Sequence, residues 1–401
     1  MYSSRTTHSI LRQQRGAVFI VMLVIMIMGV AAFLVSSLNS STLQIKRDEV
    51  TADALAQAKE ALIGRAASDS TMPGRLPCPE DTSLINSINE GQALSSCTLP
   101  AIGRLPWKSL GLGDLRDGNG DKLWYVLSAG FRSLPLNSDT PALLTVDGVS
   151  NLAVAIIFSA GTPINGQSRP VPTSSTPPDR TQYLELSNNT GGNTFVSTGS
   201  AGTINDRLLL VTHDELFSVV EKRVAGEVRQ CLNDYALNNS GRYPWAVPLN
   251  DLSYTDQSGL LFGRIPDTFT HTVSDGATYS MAGAWGTCNT HTSNTPSAWW
   301  LSWREMVFYG LADAYKPSST TTSCPNCLTV NPPSTTADKK FVVIVAGKAL
   351  ATTIPAQVRA NNTDKSTLTN YLEPPNTVVS TTTFAQSGVS ATFNDTVVSQ
   401  Q

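Results

Sequence analysis

LAVAIIFSAG, residues Leu152 to Gly161, and FVVIVAGKAL, residues Phe341 to Leu350, are two apolar, β-branched runs that each contain an Ala-Gly pair. A short run of this kind, closed by a turn residue, predicts a strand buried on both faces. Two of them ask whether the chain repeats itself, and the flanking sequence says that it does. GRLPCP at Gly74 to Pro79 is echoed by GRYPWAVP at Gly241 to Pro248, and AIGRLPW at Ala101 by LFGRIPD at Leu261. TQYLELSNN (181–189) and TNYLEPPNT (369–377) follow the two strands at nearly equal distances. Phe195 lies ten residues before Asn205 in TINDRLLL, and Phe384 ten before Asn394 in TFNDTVVS. Five echoes in one order predict an internal duplication. The first copy covers 49–212 and the second 213–401.

Each copy opens on a helix. In DEVTADALAQAKEALIGRAA (48–67), Val50, Ala54, Leu55, Ala58, Leu62 and Ile63 make one stripe. In THDELFSVVEKRVAGEVRQCLNDYALNNSG (212–241), Thr212 and Glu215 have capping-box spacing, and Gly241 can end the helix. The fold class read from this is α+β: two tandem domains, each a helical spine on an antiparallel sheet, behind a long N-terminal helix. Segments 162–180, 317–338 and 374–392, rich in Pro, Ser and Thr, read as long loops.

Upstream, RQQRGAVFIVMLVIMIMGVAAFLVSSL (12–38) sets a basic cluster and a glycine before a run without charge or proline from Ala17 to Leu38. About 20 apolar residues in a helix span the ~30 Å hydrocarbon core, so a membrane-spanning helix is expected here. The run is longer than the roughly 7–15 residue core of a secretory signal, and Ala31-Ala32 lie inside it. Arg5, Arg12 and Arg15 precede it, whereas Lys46 and Arg47 are offset by Asp48 and Glu49. The positive-inside bias therefore places the body outside the cytoplasm. With no proline before Pro73 the helix is expected to continue to Ala67, about 75 Å in all.

A basic leader ending in Gly16, an apolar segment starting at Ala17 and a helix running on from it resemble the class III signal of type IV pilins and type II secretion pseudopilins. The resemblance covers about the first 65 residues. It implies four segments: leader 1–16, membrane or filament-core helix 17–48, and pilin-like copies 49–212 and 213–401. It also implies that a prepilin peptidase cuts after Gly16 and methylates the new amino terminus at Ala17. The implied partners are that peptidase, the inner membrane, and other minor and major pilins or pseudopilins. The implied location is a single-pass inner-membrane protein with a periplasmic body, reaching the cell surface or pilus tip after assembly. Family members usually carry glutamate at the fifth mature position, where this chain has Val21. The members that lack it are large minor subunits at the filament tip, so the resemblance implies a tip-type minor pilin or pseudopilin. An adhesion role is open to its duplicated body. The alternative is a signal-anchored periplasmic or surface binding protein unrelated to filaments.

Composition agrees with an exported globular body: 41% apolar residues, 15% charged, and a net charge of −3. Such a charge offers no basic field for nucleic acid. Six cysteines in an exported chain favour disulfides. Cys78 and Cys97 stand alone in the first copy and are expected to pair. The second copy's four allow three pairings, of which Cys231–Cys288 with Cys324–Cys327 is favoured.

Enzymatic chemistry is thin. No G-x-S-x-G elbow, phosphate loop or dinucleotide fingerprint is present, and no enzymatic role is expected. CPNC at Cys324 has thioredoxin-like spacing but sits in a Ser/Thr-rich stretch, which reads as a loop staple. In DLRDGNGDKLWYVLS, Asp114, Asp117, Asn119 and Asp121 could supply oxygen ligands to calcium. Lys122, however, replaces the required glycine and Ser128 the bidentate glutamate, and a D-G-N-G string also suits a plain tight turn. His213 lies at a helix start, and His271 and His291 read as solvated loop residues, despite the nearby Cys288. Trp299, Trp303 and Met306 share one helical face and read as core, as do Trp107 and Trp245.

Overall fold

The computed structural model describes residues 15–401 except 165, 201, 270–284, 286–287, 293–294, 320–322, 325–326 and 354. The side chains of 15–19, 31, 32 and 34–40 also lie outside the described ones. Residues 1–14 of the expected leader, the prospective cleavage-site side chains and His271 therefore fall outside the description.

Helix α1 (Arg15–Ser68) is unbroken over 54 residues, about 80 Å at 1.5 Å per residue. Its C-terminal part buries the expected stripe, Ala54, Leu55, Ala58, Leu62 and Ile63, together with Ala66. Val50 is a correction: it is exposed, because it lies off the face of the helix that the body covers, whose buried residues begin at Thr51. Among the described residues no helix is long and apolar enough to cross a membrane; the run 17–38 is only partly among them.

The fold is mixed α+β with antiparallel sheets. Along the chain follow β1 (Ala101–Arg104), β2 (Trp124–Leu127), the hairpin β3 (Leu144–Val146) and β4 (Val149–Ala153), β5 (Ala155–Ser159), β6 (Thr194–Phe195) and β7 (Arg207–Val211). Strands β1, β2, β5 and β7 form a sheet in that order, every pair antiparallel. On β5, Ala155 and Ile157 join the core shared with the helices, while Ile156 and Phe158 join a second cluster with Trp124, Tyr183 and Phe195. Both faces are covered, which is why the strand is apolar throughout.

Helix α2 (His213–Asn238) starts with the expected capping box of Thr212 and Glu215. Then come β8 (Phe262–Arg264), β9 (His291–Thr292), β10 (Thr295–Pro296), α3 (Ala298–Trp303), β11 (Val307–Leu311), β12 (Thr329–Val330), β13 (Phe341–Val345), α4 (Asn362–Lys365), β14 (Thr383–Phe384) and β15 (Thr396–Gln400). Strands β8, β11, β13 and β15 form a second antiparallel sheet. In each half a two-residue strand pairs in parallel beside the main sheet, β6 with β3 and β14 with β12. Helix α2 packs on β13, β15 and α1, so one apolar cluster runs from Ala54 to Val397. Lys59 on α1 pairs with Glu215 on α2 at 2.5 Å, closing that junction.

Disulfides join Cys78 to Cys97, Cys231 to Cys288 and Cys324 to Cys327. Trp245, Trp299, Trp303 and Met306 are buried. Trp107 corrects the expectation of a core anchor: it is half-buried, its ring covering Gly91 and facing Lys122.

Candidate functional site

The exposed end of α1 is the most unusual surface. Val21 is 57% exposed, Met22 69% and Phe33 72%, and the other described apolar side chains between Ile20 and Phe33 are exposed as well. A helix that is apolar all round is stable only when something apolar surrounds it, lipid or protein. Gly16 and Ala17 lie in its first turn.

Where this arm leaves the body, loop 114–121 braces it. The Gly118 N–H donates to Thr51 Oγ1 at 3.0 Å, and Thr51 Oγ1 donates to Arg47 O at 2.9 Å. A Cβ on Gly118 would stand 2.1 Å from the Arg47 carbonyl oxygen, so only glycine permits this approach. Arg207 on β7 adds an ion pair to Asp48 at 2.7 Å. Replacing Gly118 by alanine is expected to push the loop off α1 and lower stability by about 1–3 kcal/mol. Faster hydrogen exchange around residues 47–51 would register it, and unchanged exchange there would show the brace to be incidental.

The same loop held the candidate calcium ligands, and the structure uses them otherwise. Asp117 is buried; its Oδ1 accepts the N–H groups of Asn119 and Asp121 at 2.9 and 3.0 Å, and its Oδ2 accepts Ser159 Oγ at 2.6 Å. Asp114 pairs with Arg116 at 2.7 Å and Asp121 with Arg169 at 2.6 Å, while Asn119 is exposed. Among the described residues no cluster of His, Cys, Asp and Glu could hold a metal ion. In this arrangement the donors serve backbone N–H groups, a serine hydroxyl and two arginines, the contacts of a tight turn.

Two buried polar networks of the same form were missed in the sequence. Arg169 Nη1 donates to Asp121 and to Gly161 O, its Nε to Gln182 O, and its guanidinium lies 4.9 Å over Tyr183. Arg359 Nη1 donates to Asp139 and to Gly347 O, its Nε to Asn370 O, and it lies 4.4 Å over Tyr371. Gln167 donates to Glu185 and Gln357 to Glu373, both at 2.7 Å. Asn188 donates to Asp206 and Asn376 to Asp395, both at 2.8 Å. Burial, with the Glu185 carboxyl beside it, pushes Asp206 up to about 8; burial and Glu373 push Asp395 well above the carboxylate range. A raised carboxyl beside a second one is the pattern of acid–base chemistry. All four are at most 5% exposed, and their hydrogen bonds to Gln, Asn and loop backbone clamp the loops together.

A further chain of contacts joins a carboxylate, an imidazole and a hydroxyl. Asp267 Oδ1 lies 3.1 Å from His291 Nε2, and His291 Nδ1 lies 2.8 Å from Thr290 Oγ1. Contrary to the solvated loop expected, His291 is buried, stacked on Trp285 at 5.2 Å. Its polar sequence neighbours gave no sign that Trp285 and Trp300 enclose it. Burial would raise Asp267, but hydrogen bonds from His291, Trp300 and Arg304 outweigh it and hold this carboxyl low. Thr290 Oγ1 faces the sulfur of bridged Cys288 at 2.8 Å and is itself buried. His213 is a structural contact too, its Nε2 2.8 Å from Ser138 O.

No family model, curated protein or solved structure matches the chain.

Proposed function

We propose that this chain is a minor, tip-type pilin or pseudopilin, held in the membrane or filament core by α1, with two copies of one α+β unit as its body and no catalytic role. The observation that carries the reading is the division of α1: an apolar, exposed arm behind Arg15-Gly16, continuous with a spine buried in the body from Thr51. The duplication is supported by the matching strand order of the two sheets and by the matched pairs Arg169/Arg359, Glu185/Glu373, Asn188/Asn376 and Asp206/Asp395. Placement at a tip is supported by Val21, since a subunit with nothing stacked above it has no amino terminus there to neutralise. A carboxylate at that depth would cost on the order of 2.5–3.5 kcal/mol. Its partners are then the prepilin peptidase, the inner membrane and the other pilins or pseudopilins of the filament.

Intact-mass measurement of the purified protein tests this. A mature chain beginning at a methylated Ala17 is expected. An intact leader, or a start beyond Ala32, would overturn the reading. In sheared filaments the protein should be far rarer than the major subunit; a ratio near one to one would make it a shaft component.

A further inference from the structure

We infer that the cleft beside β1 binds an extended peptide segment of another protein, through the peptide's backbone amides. The cleft holds about 670 Å³ between β1 and the loop 177–181, with Pro79, Ile102, Pro177 and Pro178 among its walls. Glu80, Arg104 and Trp124 also line it and are 2%, 6% and 3% exposed. Neither carboxylate oxygen of Glu80 is hydrogen-bonded with good geometry, and Arg104 Nε and Trp124 Nε1 find no acceptor. The cation nearest Glu80 is Lys122, 3.7 Å away and already paired with Glu90. Burial raises the Glu80 carboxyl against the pull of Lys122 and Arg104, which marks an expensive place for an acid. Buried polar groups without partners are rare enough in folded chains to require an explanation.

The C-terminal half shows what this frame looks like without a cleft. Val247 replaces Glu80: each donates its N–H to the carbonyl of the strand arginine, Arg264 or Arg104, at 2.9 Å. Phe308 faces Arg264 across its strand pair as Trp124 faces Arg104. Arg264 also leaves its Nε unpaired, but its Nη1 and Nη2 reach Leu249 O and Lys365 O at 3.1 and 2.6 Å, where the end of α4 closes over it. The carboxylate and the indole N–H, absent there, are the N-terminal half's additions.

An amide answers these groups together: its carbonyl accepts from Arg104 and Trp124, its N–H donates to Glu80, and it brings no net charge. A free carboxylate would meet Glu80, and a bare cation would meet Arg104. An N-acetylated sugar carries the same amide, but β1 is an edge strand with β2 on one side only. An extended backbone can pair with that edge beside Ala101 and Ile102, and a sugar cannot.

The test uses the purified full chain in detergent, a displayed library of unconstrained 12-residue peptides, and N-acetylglucosamine oligomers as a parallel probe. Selected peptides are expected to bind the chain and to lose about tenfold or more in affinity to the double variant Glu80→Val, Trp124→Phe. These are the residues the C-terminal half carries in the same frame, so the sheet should tolerate them. Hydrogen exchange on the unaltered chain gives a second reading, with slower exchange at 101–104 expected when a selected peptide is bound. No enriched peptide, equal binding to the double variant, protection elsewhere, or variant-sensitive binding of the sugar oligomers alone would each overturn the inference. None of these outcomes bears on cleavage at Gly16, so this inference and the filament reading stand or fall separately.

Discussion

Replacing Arg359 by alanine is expected to destabilise the folded body by about 2–4 kcal/mol, because the carbonyls that its buried guanidinium serves lose their charged donors, while exposed Asp139 is left in water. The Arg359 side chain is 6% exposed and pairs at 2.7 Å with Asp139, a residue from the N-terminal half. Its other donors go to Gly347 O and Asn370 O, and Tyr371 covers its face. Nearby, the Ala349 N–H also reaches Asp139 at 3.0 Å, and Asn137 Nδ2 donates to Ser302 O at 2.7 Å. Arg359 is therefore part of the joint between the halves, whereas Arg169 pairs with Asp121 inside its own half. Lysine should not rescue it, since a single ammonium cannot serve a planar set of acceptors. Denaturant unfolding measures the loss, and hydrogen exchange locates it. Arg359→Ala should loosen 137–140 and 347–350, and Arg169→Ala should loosen 114–121. A loss below about 1 kcal/mol for Arg359→Ala would show the network to be redundant.

The second large effect is on pH. Burial pushes Glu221 on α2 up to about 8, against hydrogen bonds from Ser138 at 2.7 Å and Thr396 at 3.0 Å. Asp206 stands at about 8 for the reasons given, and Asp395 lies well above its usual range. In the unfolded chain these groups ionise near pH 4. Between pH 4 and 8 the folded chain thus binds more protons than the unfolded one, and stability falls as pH rises. Each such group adds to that fall, because its proton must be given up in the folded chain at a higher pH than in the unfolded one. Asp69 and Asp267 have lowered values, and the stability they add is lost as pH falls through those values. Maximum stability is therefore expected at roughly pH 4–5, below the usual pH 5–8 range. Unfolding midpoints across pH 3 to 9 check this. Asp206→Asn and Asp395→Asn, which keep a neutral group at each site, should flatten the alkaline side, and an unchanged slope in both would refute this account.

Much of the architecture was legible in the residues themselves. The 3–4 spacing after Val50 and the Thr212/Glu215 pair mark helices because a helix repeats every 3.6 residues and its first N–H groups need local acceptors. The apolar runs at 152–161 and 341–350 mark buried strands because local composition records burial on both faces. The echoes even contained Glu185, Glu373, Asp206 and Asp395, although nothing there said that they meet. Tertiary structure decided that meeting, because it depends on loops returning from 20 residues away with a third side chain, Arg169 or Arg359, drawn from dissimilar sequence. It also decided that D-G-N-G braces α1 at Thr51, since a carboxylate's role follows from which donors reach it. Burial of His291 among tryptophans, and the gathering of Glu80, Arg104 and Trp124 at one cleft, are likewise matters of segments remote in the chain. Periodicity along a chain reports which face is covered; only packing reports by what.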